Sequence, residues 1–335
     1  MREIMAQIYW FLADEQFQPE VIVKHAIAAE KADFDGVLLS EHFHPWVEDL
    51  GTSGFAFAIL GAIAQATQKI KLATAVTTPL YRFHPAVVAQ AAATIDRLSQ
   101  GRFTLGVGTG ENINEGPLGF ELPAYKERSA RLEEALEIMN RLLSGETLSF
   151  SGIYYQTKDA KLYSPPLKDL PIYVAAGGPK SATLAARSAQ GLITSVKDID
   201  DALERVIKPA KTLANGKDFK VITTRWSVYA DSEDSAWEAL LPQRGLRAPS
   251  RALTHIPKVL QEEADLLNHD EVLAKYHVLA NAEDFLSTYS PLVTKLGADI
   301  VGIQATSLNQ LELIKMLGKD VVPKLKQLVA LKEER

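Results

Sequence analysis

The chain has 335 residues, 47% of them apolar and 23% charged, with 36 basic against 42 acidic side chains and a net charge of −6. That is enough apolar material for one large core, and a mildly acidic balance without clustered Lys and Arg argues against a nucleic-acid binder. The absence of cysteine excludes disulfides, zinc-thiolate sites, iron–sulfur clusters and a cysteine nucleophile, and fits a cytoplasmic setting. Met1-Arg2-Glu3-Ile4-Met5 does not open a charged leader with an apolar run behind it. The Ala-rich run from Ala56 to Ala66 falls short of the roughly 18 apolar residues of a membrane span. Neither a secretory signal nor membrane residence is expected.

Short apolar runs alternate with helical periods along the chain. Gln7–Phe11 reads as a first strand, and Pro19–Lys31 carries apolar residues at helical spacing. Gly36–Ser40 is a buried-strand run, followed by a polar loop over 41–54 and a helix over Phe55–Thr67. Lys71–Thr77, Pro85–Leu98 and Arg102–Val107 read as strand, helix and strand, and a long charged helix covers Ala124–Leu143. Pro171–Ala175 is strand-like, Ser181–Ala189 helical, Leu192–Ser195 strand-like and 200–216 helical. Val221–Tyr229 is β-branched and aromatic, and 231–276 is mainly helical with no clear strand. A helix near 282–296, the strand Ile300–Gln304 and a last helix over 308–331 complete the chain. About eight apolar strands alternating with helices predict a single (β/α)8 TIM barrel, with an open doubly wound sheet as the alternative. The segments 146–170 and 243–276 read as insertions on its loops.

In a barrel, chemistry collects where strands end. Ser40-Glu41-His42-Phe43-His44-Pro45-Trp46 follows the second strand, Ala75-Val76-Thr77-Thr78-Pro79 the third, and Gly108-Thr109-Gly110-Glu111-Asn112-Ile113-Asn114 the fourth. Ala176-Gly177-Gly178-Pro179 follows the fifth and Ser195-Val196-Lys197 the sixth. His42 and Glu111 suit acid–base work, an imidazole and an environment-tuned carboxyl both operating near neutral pH. Trp46 could pack on a flat ring or simply cover the core. Gly177-Gly178 before a helix suits a phosphate at the free N–H groups, or merely turns the chain. No Asp, Glu and His set has metal-ligand spacing, so no metal is expected.

Ser40–Trp46, Thr74–Pro79, Gly101–Glu115, Tyr125–Leu132 and Tyr173–Pro179 together resemble the luciferase-like flavin and deazaflavin oxidoreductases. The likeness is greatest to the branch of glucose-6-phosphate and secondary-alcohol dehydrogenases that use coenzyme F420. It runs over about residues 5–200 and weakens afterwards. The resemblance implies a homodimeric TIM barrel holding 8-hydroxy-5-deazaflavin at its strand ends. It implies His42 as the base on a substrate hydroxyl, Glu111 as the acid and Trp46 as support for the reacting pair. It places a non-proline cis peptide at Ala75-Val76. It also implies cofactor contacts at Glu41, Thr78, Thr109, Gly110, Asn114, Gly177, Gly178, Lys180 and Ser181. Thr194, Lys197 and Tyr276 fall on substrate positions. Glu41 stands where the sugar-phosphate enzymes have Asp, and Tyr276 where they have Arg, which weakens a phosphate site. An alcohol or other hydroxylated small molecule is therefore favoured over glucose 6-phosphate. The alternatives are an FMN-dependent monooxygenase and a non-catalytic member that stores or senses a cofactor. Arg244, Arg247 and Arg251 read as a solvated charged face or as another anion site.

Overall fold

The computed structural model describes residues 5–328. Residues 1–4, where no leader is expected, and 329–331, the end of the expected last helix, lie outside the described residues. The strands are β1 (Gln7–Leu12), β2 (Gly36–Leu39), β3 (Lys71–Thr74), β4 (Phe103–Val107), β5 (Leu148–Ser151), β6 (Gln156–Ala160), β7 (Ile172–Ala175), β8 (Gly191–Ser195), β9 (Lys220–Tyr229), β10 (His277–Leu279) and β11 (Ile300–Thr306). The main sheet runs β10-β9-β11-β1-β2-β3-β4-β7-β8, and a further pairing of β8 with β9 closes it. Every pairing in it is parallel. The expected eight strands therefore form a TIM barrel, and the open-sheet alternative fails at the β8–β9 seam.

Strand alternation sorts side chains into two layers. Ile8, Trp10 and Leu12 face the outer helices, in one apolar cluster with Val37, Leu39, Leu72 and Leu105. Tyr9, Leu38, Ala73, Tyr173, Ile193, Ile222 and Ile300 fill the barrel interior, with Phe11, Ala75 and Val76 packed against them. Gly36 makes room for this filling, since a Cβ there would meet the Tyr9 ring at 2.3 Å. The interior is thus plugged by side chains.

The stretches 146–170 and 243–276 each carry elements of their own. Residues 146–170 contain the antiparallel β5–β6 hairpin, whose tip amides of Ile153, Tyr154 and Tyr155 donate to the Glu134 carboxylate. The other contains a 3-10 stretch over Leu241–Arg247 and helices over Pro257–Asp265 and His269–Leu273. Two helical expectations are interrupted at proline, which lacks an N–H and clashes with the preceding turn. Residues 199–214 carry a π turn at Leu203–Ile207 ahead of Pro209. The last helix breaks at Val321 into Gln310–Asp320 and Val322–Lys326, with Pro323 in the first turn of the second. Among the described residues no helix is long and apolar enough to cross a membrane.

At the amino-terminal end of the barrel, Arg102 spends its whole guanidinium on the chain. It donates to the carbonyls of Ala64, Thr67, Ile70 and Ser99 and to Thr67 Oγ1, at 2.6 to 3.1 Å. Arg102→Met leaves those acceptors unpaired and should cost about 2–4 kcal/mol of stability. Denaturant melting checks this, and activity at low temperature should survive because this end of the barrel carries no site residue.

Candidate active site

A cavity of about 970 Å³ opens at the carboxyl ends of the strands. His42, Trp46 and Glu111 all line it, as do Glu41, Ala75, Val76, Thr78, Thr109, Gly110, Asn114, Gly177, Gly178, Lys180 and Ser181. Residues from four separate strand-end loops thus meet in one space. The Ala75-Val76 peptide bond is cis.

The loop after β2 is held by buried acids. Ser40 Oγ accepts the Asp14 amide at 2.8 Å and donates to Glu15 Oε2 at 2.6 Å. Asp14 Oδ1 accepts the Gly54 amide at 2.8 Å, and its carbonyl accepts Thr52 Oγ1 at 2.7 Å. The Phe43 amide donates to Asn114 Oδ1 at 2.8 Å, so Asn114 braces this loop from the loop after β4. His42 is left with Nε2 3.9 Å from Glu15 Oε2 and with its ring edge-on to Trp46 at 5.3 Å. Glu15 lies on the side where a protonated imidazole would need a counter-charge. The Trp46 loop is seated against Gly245, where a Cβ would stand 1.9 Å from the Trp46 carbonyl oxygen.

Next to His42, Glu41 Oε1 accepts Arg82 Nη2 at 2.7 Å while its Oε2 has no partner. Burial raises its carboxyl above the ordinary range, against the pull of Arg82. Arg128 Nη1 donates to the carbonyls of Thr109 and Gly110, fixing the loop on which Glu111 stands. Glu111 is exposed at the cavity wall and starts the short helix Asn112–Glu115. At the far end, the helix Pro179–Ser188 begins at Gly178 with no side-chain cap, so its first amides are free for an anion. A Cβ on Gly177 or Gly178 would meet nothing within 4 Å, which leaves a ligand room to reach the backbone.

Three expected substrate residues do not line this cavity. Ile193 and Ser195 of β8 do, so alternation turns Thr194 to the other face, where it is buried. Lys197 lies exposed beyond the strand end. Tyr276 is buried with its hydroxyl accepting Arg247 Nε at 3.2 Å. The three arginines divide as well. Arg244 is not solvated but 4% exposed, bonded to Asp49 and Asp265. Arg247 lies over the Trp226 and Tyr276 rings. Arg251 alone of the three lines the cavity, 6.0 Å from the Trp46 ring centre. Glu15, Arg128, Trp226 and Leu246 also line it and escaped the sequence reading. The signal for Glu15 was its place directly after β1. Among the described residues, no three His, Asp or Glu are grouped to hold a metal ion.

These features define a barrel whose strand-end loops meet in one deep cavity. A family model described as luciferase-like monooxygenase matches residues 6–303, and the chain belongs to that luciferase-like family. It is 35% identical over 323 residues to an F420-dependent glucose-6-phosphate dehydrogenase of Segniliparus rotundus, covering 94% of this chain and 96% of that one. An enzyme of the same description from Intrasporangium calvum is 34% identical, over 97% and 100%. Among solved structures, an F420-dependent secondary alcohol dehydrogenase in complex with an F420-acetone adduct superposes with a TM-score of 0.87 at 30% identity, covering 96% of this chain and 99% of that one.

Asp14 gives the site a pH signature. Burial, helped by Glu15 and Glu41 and opposed by the Gly54 and His42 amides, pushes its carboxyl up to about 7. The native chain then holds a proton between about pH 4 and 7 that the unfolded chain releases, so this contribution to stability is full at low pH and lost as pH rises through 7. Asp14→Asn keeps the acceptor for Gly54 and removes the ionisation. Its melting temperature should exceed that of the wild type by about 3 °C or more at pH 8 and match it at pH 4. An equal difference at both pH values would contradict the burial argument.

Proposed function

We propose that this chain is a coenzyme F420-dependent oxidoreductase that moves a hydride between the CH–OH carbon of an alcohol or sugar-type substrate and the deazaflavin. The observation that carries this is the setting of His42. Its ring lies between Glu15 and Trp46 at one part of a cavity whose other part is the uncapped helix start at Gly178. The residues present fit the cofactor. Glu41 has an unpartnered buried oxygen on the cavity wall. The open backbone of Gly177 and Gly178, with Lys180 and Ser181 beyond, suits a phosphate and an acidic tail.

When bound, the deazaflavin supplies a two-electron acceptor. His42 takes the proton from the substrate hydroxyl, and Glu15 behind it favours the resulting imidazolium. Trp46 and Trp226 close the cavity with apolar surface, and Glu111 is the acid of the pair at the mouth. Thr78, Thr109, Gly110 and Asn114 would hold the ring, with Ala75 and Val76 on the same cavity wall. The named similarity to enzymes on both sugar phosphates and secondary alcohols supports the CH–OH class. Within it, the placement of Lys197 and Tyr276 away from the cavity supports a hydroxylated substrate without a phosphate dianion. Family resemblance supports a homodimer in the cytoplasm, which sedimentation and fractionation would check.

His42→Ala should lower kcat by about 10²–10⁴-fold while leaving the dissociation constant of oxidised F420 nearly unchanged. Undiminished turnover would remove the base assignment. Fluorescence titration of the wild type with F420 and with FMN should give micromolar quenching by the former alone. Tight FMN binding in its place would favour the monooxygenase reading, and F420 binding without turnover on a broad alcohol panel a storage role. On that panel, kcat/KM for neutral secondary alcohols should exceed that for glucose 6-phosphate. The reverse order would place a phosphate site where none is built.

A further inference from the structure

A carboxyl group that the proposed reaction does not use sits behind the cavity wall. Glu115 ends the short helix Asn112–Glu115. It is 0% exposed, no side chain hydrogen-bonds its carboxyl oxygens, and the Arg82 amide is the backbone group that faces them. A Cβ on Gly110 would lie 3.7 Å from Glu115 Oε1, and Gly110 lines the cavity, so one residue separates this acid from the ligand space. The groups that face it are Arg82, Glu41 and the hydroxyl of Tyr81. Arg82 is committed to Glu41 Oε1, while Arg82 Nε and Glu41 Oε2 remain without partners.

Two carboxyl groups therefore share one guanidinium in a dry place. The cluster carries one negative charge when both are ionised and none when one is protonated, and burial favours the neutral form. Burial raises both carboxyls, but Arg82 is bonded to Glu41 and not to Glu115, which makes Glu115 the better place for the shared proton. Burial, with Glu41 adding to it and Arg82 opposing, accordingly pushes the Glu115 carboxyl up to about 7. Beside Glu41 also lie the Thr77 hydroxyl and His42, which favour its ionised form, and Asp14, which feels the charge of Glu41 and of Glu15.

We propose that Glu115 is the proton-holding partner of the Glu41–Arg82 pair and takes up a proton when a flat ring system seats against Glu41. This rests on the reading of the cavity as a deazaflavin site. A seated ring replaces the water of the cavity that Glu41 lines with an apolar face and so raises the cost of the cluster's net charge. Glu115 is then a positioning residue: its proton decides whether Arg82 faces one carboxylate or two.

The test is calorimetric titration of oxidised F420 into wild type and Glu115→Gln at pH 7, in buffers of different ionisation enthalpy. The ionisation of the ligand itself cancels in the difference. Wild type should take up roughly half a proton more per site than the variant. Its dissociation constant should rise by up to about tenfold per pH unit above 7, while that of Glu115→Gln changes less. Equal uptake in the two proteins overturns the proposal and leaves the cofactor reading intact. Failure of the wild type to bind F420 overturns both. If Glu115→Gln does not fold, the infrared band of protonated carboxyl groups in Asp14→Asn protein decides. Growth of that band at pH 7 on adding F420 supports the proposal, and an unchanged band overturns it.

Discussion

Four carboxyl groups, Asp14, Glu15, Glu41 and Glu115, lie no more than 5% exposed around the end of β2, and the ion pair among them belongs to Arg82 and Glu41. Four like charges so close cannot all ionise in a dry site, so the arrangement stands only by holding protons and spending its oxygens on backbone amides and hydroxyls. That constraint shapes the loop that carries His42. Asp14 takes the Gly54 amide, Glu15 takes Ser40, and Glu41 takes Arg82. The imidazole is thus positioned by the groups that would give its proton somewhere to be stabilised. Structure and electrostatics at this site are one arrangement, and a change to any of the acids acts on both.

The barrel was legible because its strands are continuous apolar runs set between amphipathic helices, a pattern that burial on both faces requires. Closure was not, since it depends on β9 pairing with both β8 and β11 across long stretches of chain. The residues at strand ends were found by a rule of place. His42, Trp46, Glu111 and the Gly177-Gly178 turn reach one cavity because each directly follows a strand. The same rule covered Asp14 and Glu15 after β1, where it was not applied. Arg82 and Glu115 offered no such signal. A charged residue in a polar run reads as surface, and only the folded chain shows that the Asn112–Glu115 turn faces inward.

The three substrate positions illustrate a different limit. Resemblance carries a residue to a position in the chain, but strand parity decides which layer that residue faces. Thr194 follows the inward Ile193 and so points out. Tyr276, which the resemblance sets where a cation stands, instead accepts Arg247 Nε beside the edge-on Trp226 ring. A guanidinium that stacks on two rings and donates to a buried hydroxyl is no longer offered to a substrate.

Those losses bear on how the two halves of the cavity differ. One half takes its walls from the first 200 residues, where the loops are tied to each other by Asn114, Arg128 and the acids. Its other half is closed by the stretch 241–256, which is tied down by Arg244 on Asp49, by the His255 carbonyl near His44 Nδ1 and by Asn112 on the Leu253 carbonyl. Each of these ties joins the late insertion to a loop after β2 or β4. That stretch is therefore anchored to the loops that carry His42 and Glu111, while its inward face, Leu246, Arg251 and Ala252, takes no part in those ties. Such a division lets the substrate wall change without disturbing His42 or Glu111. It suits a chain whose proposed base and acid stand on the loops after β2 and β4 while a later stretch supplies the wall opposite them.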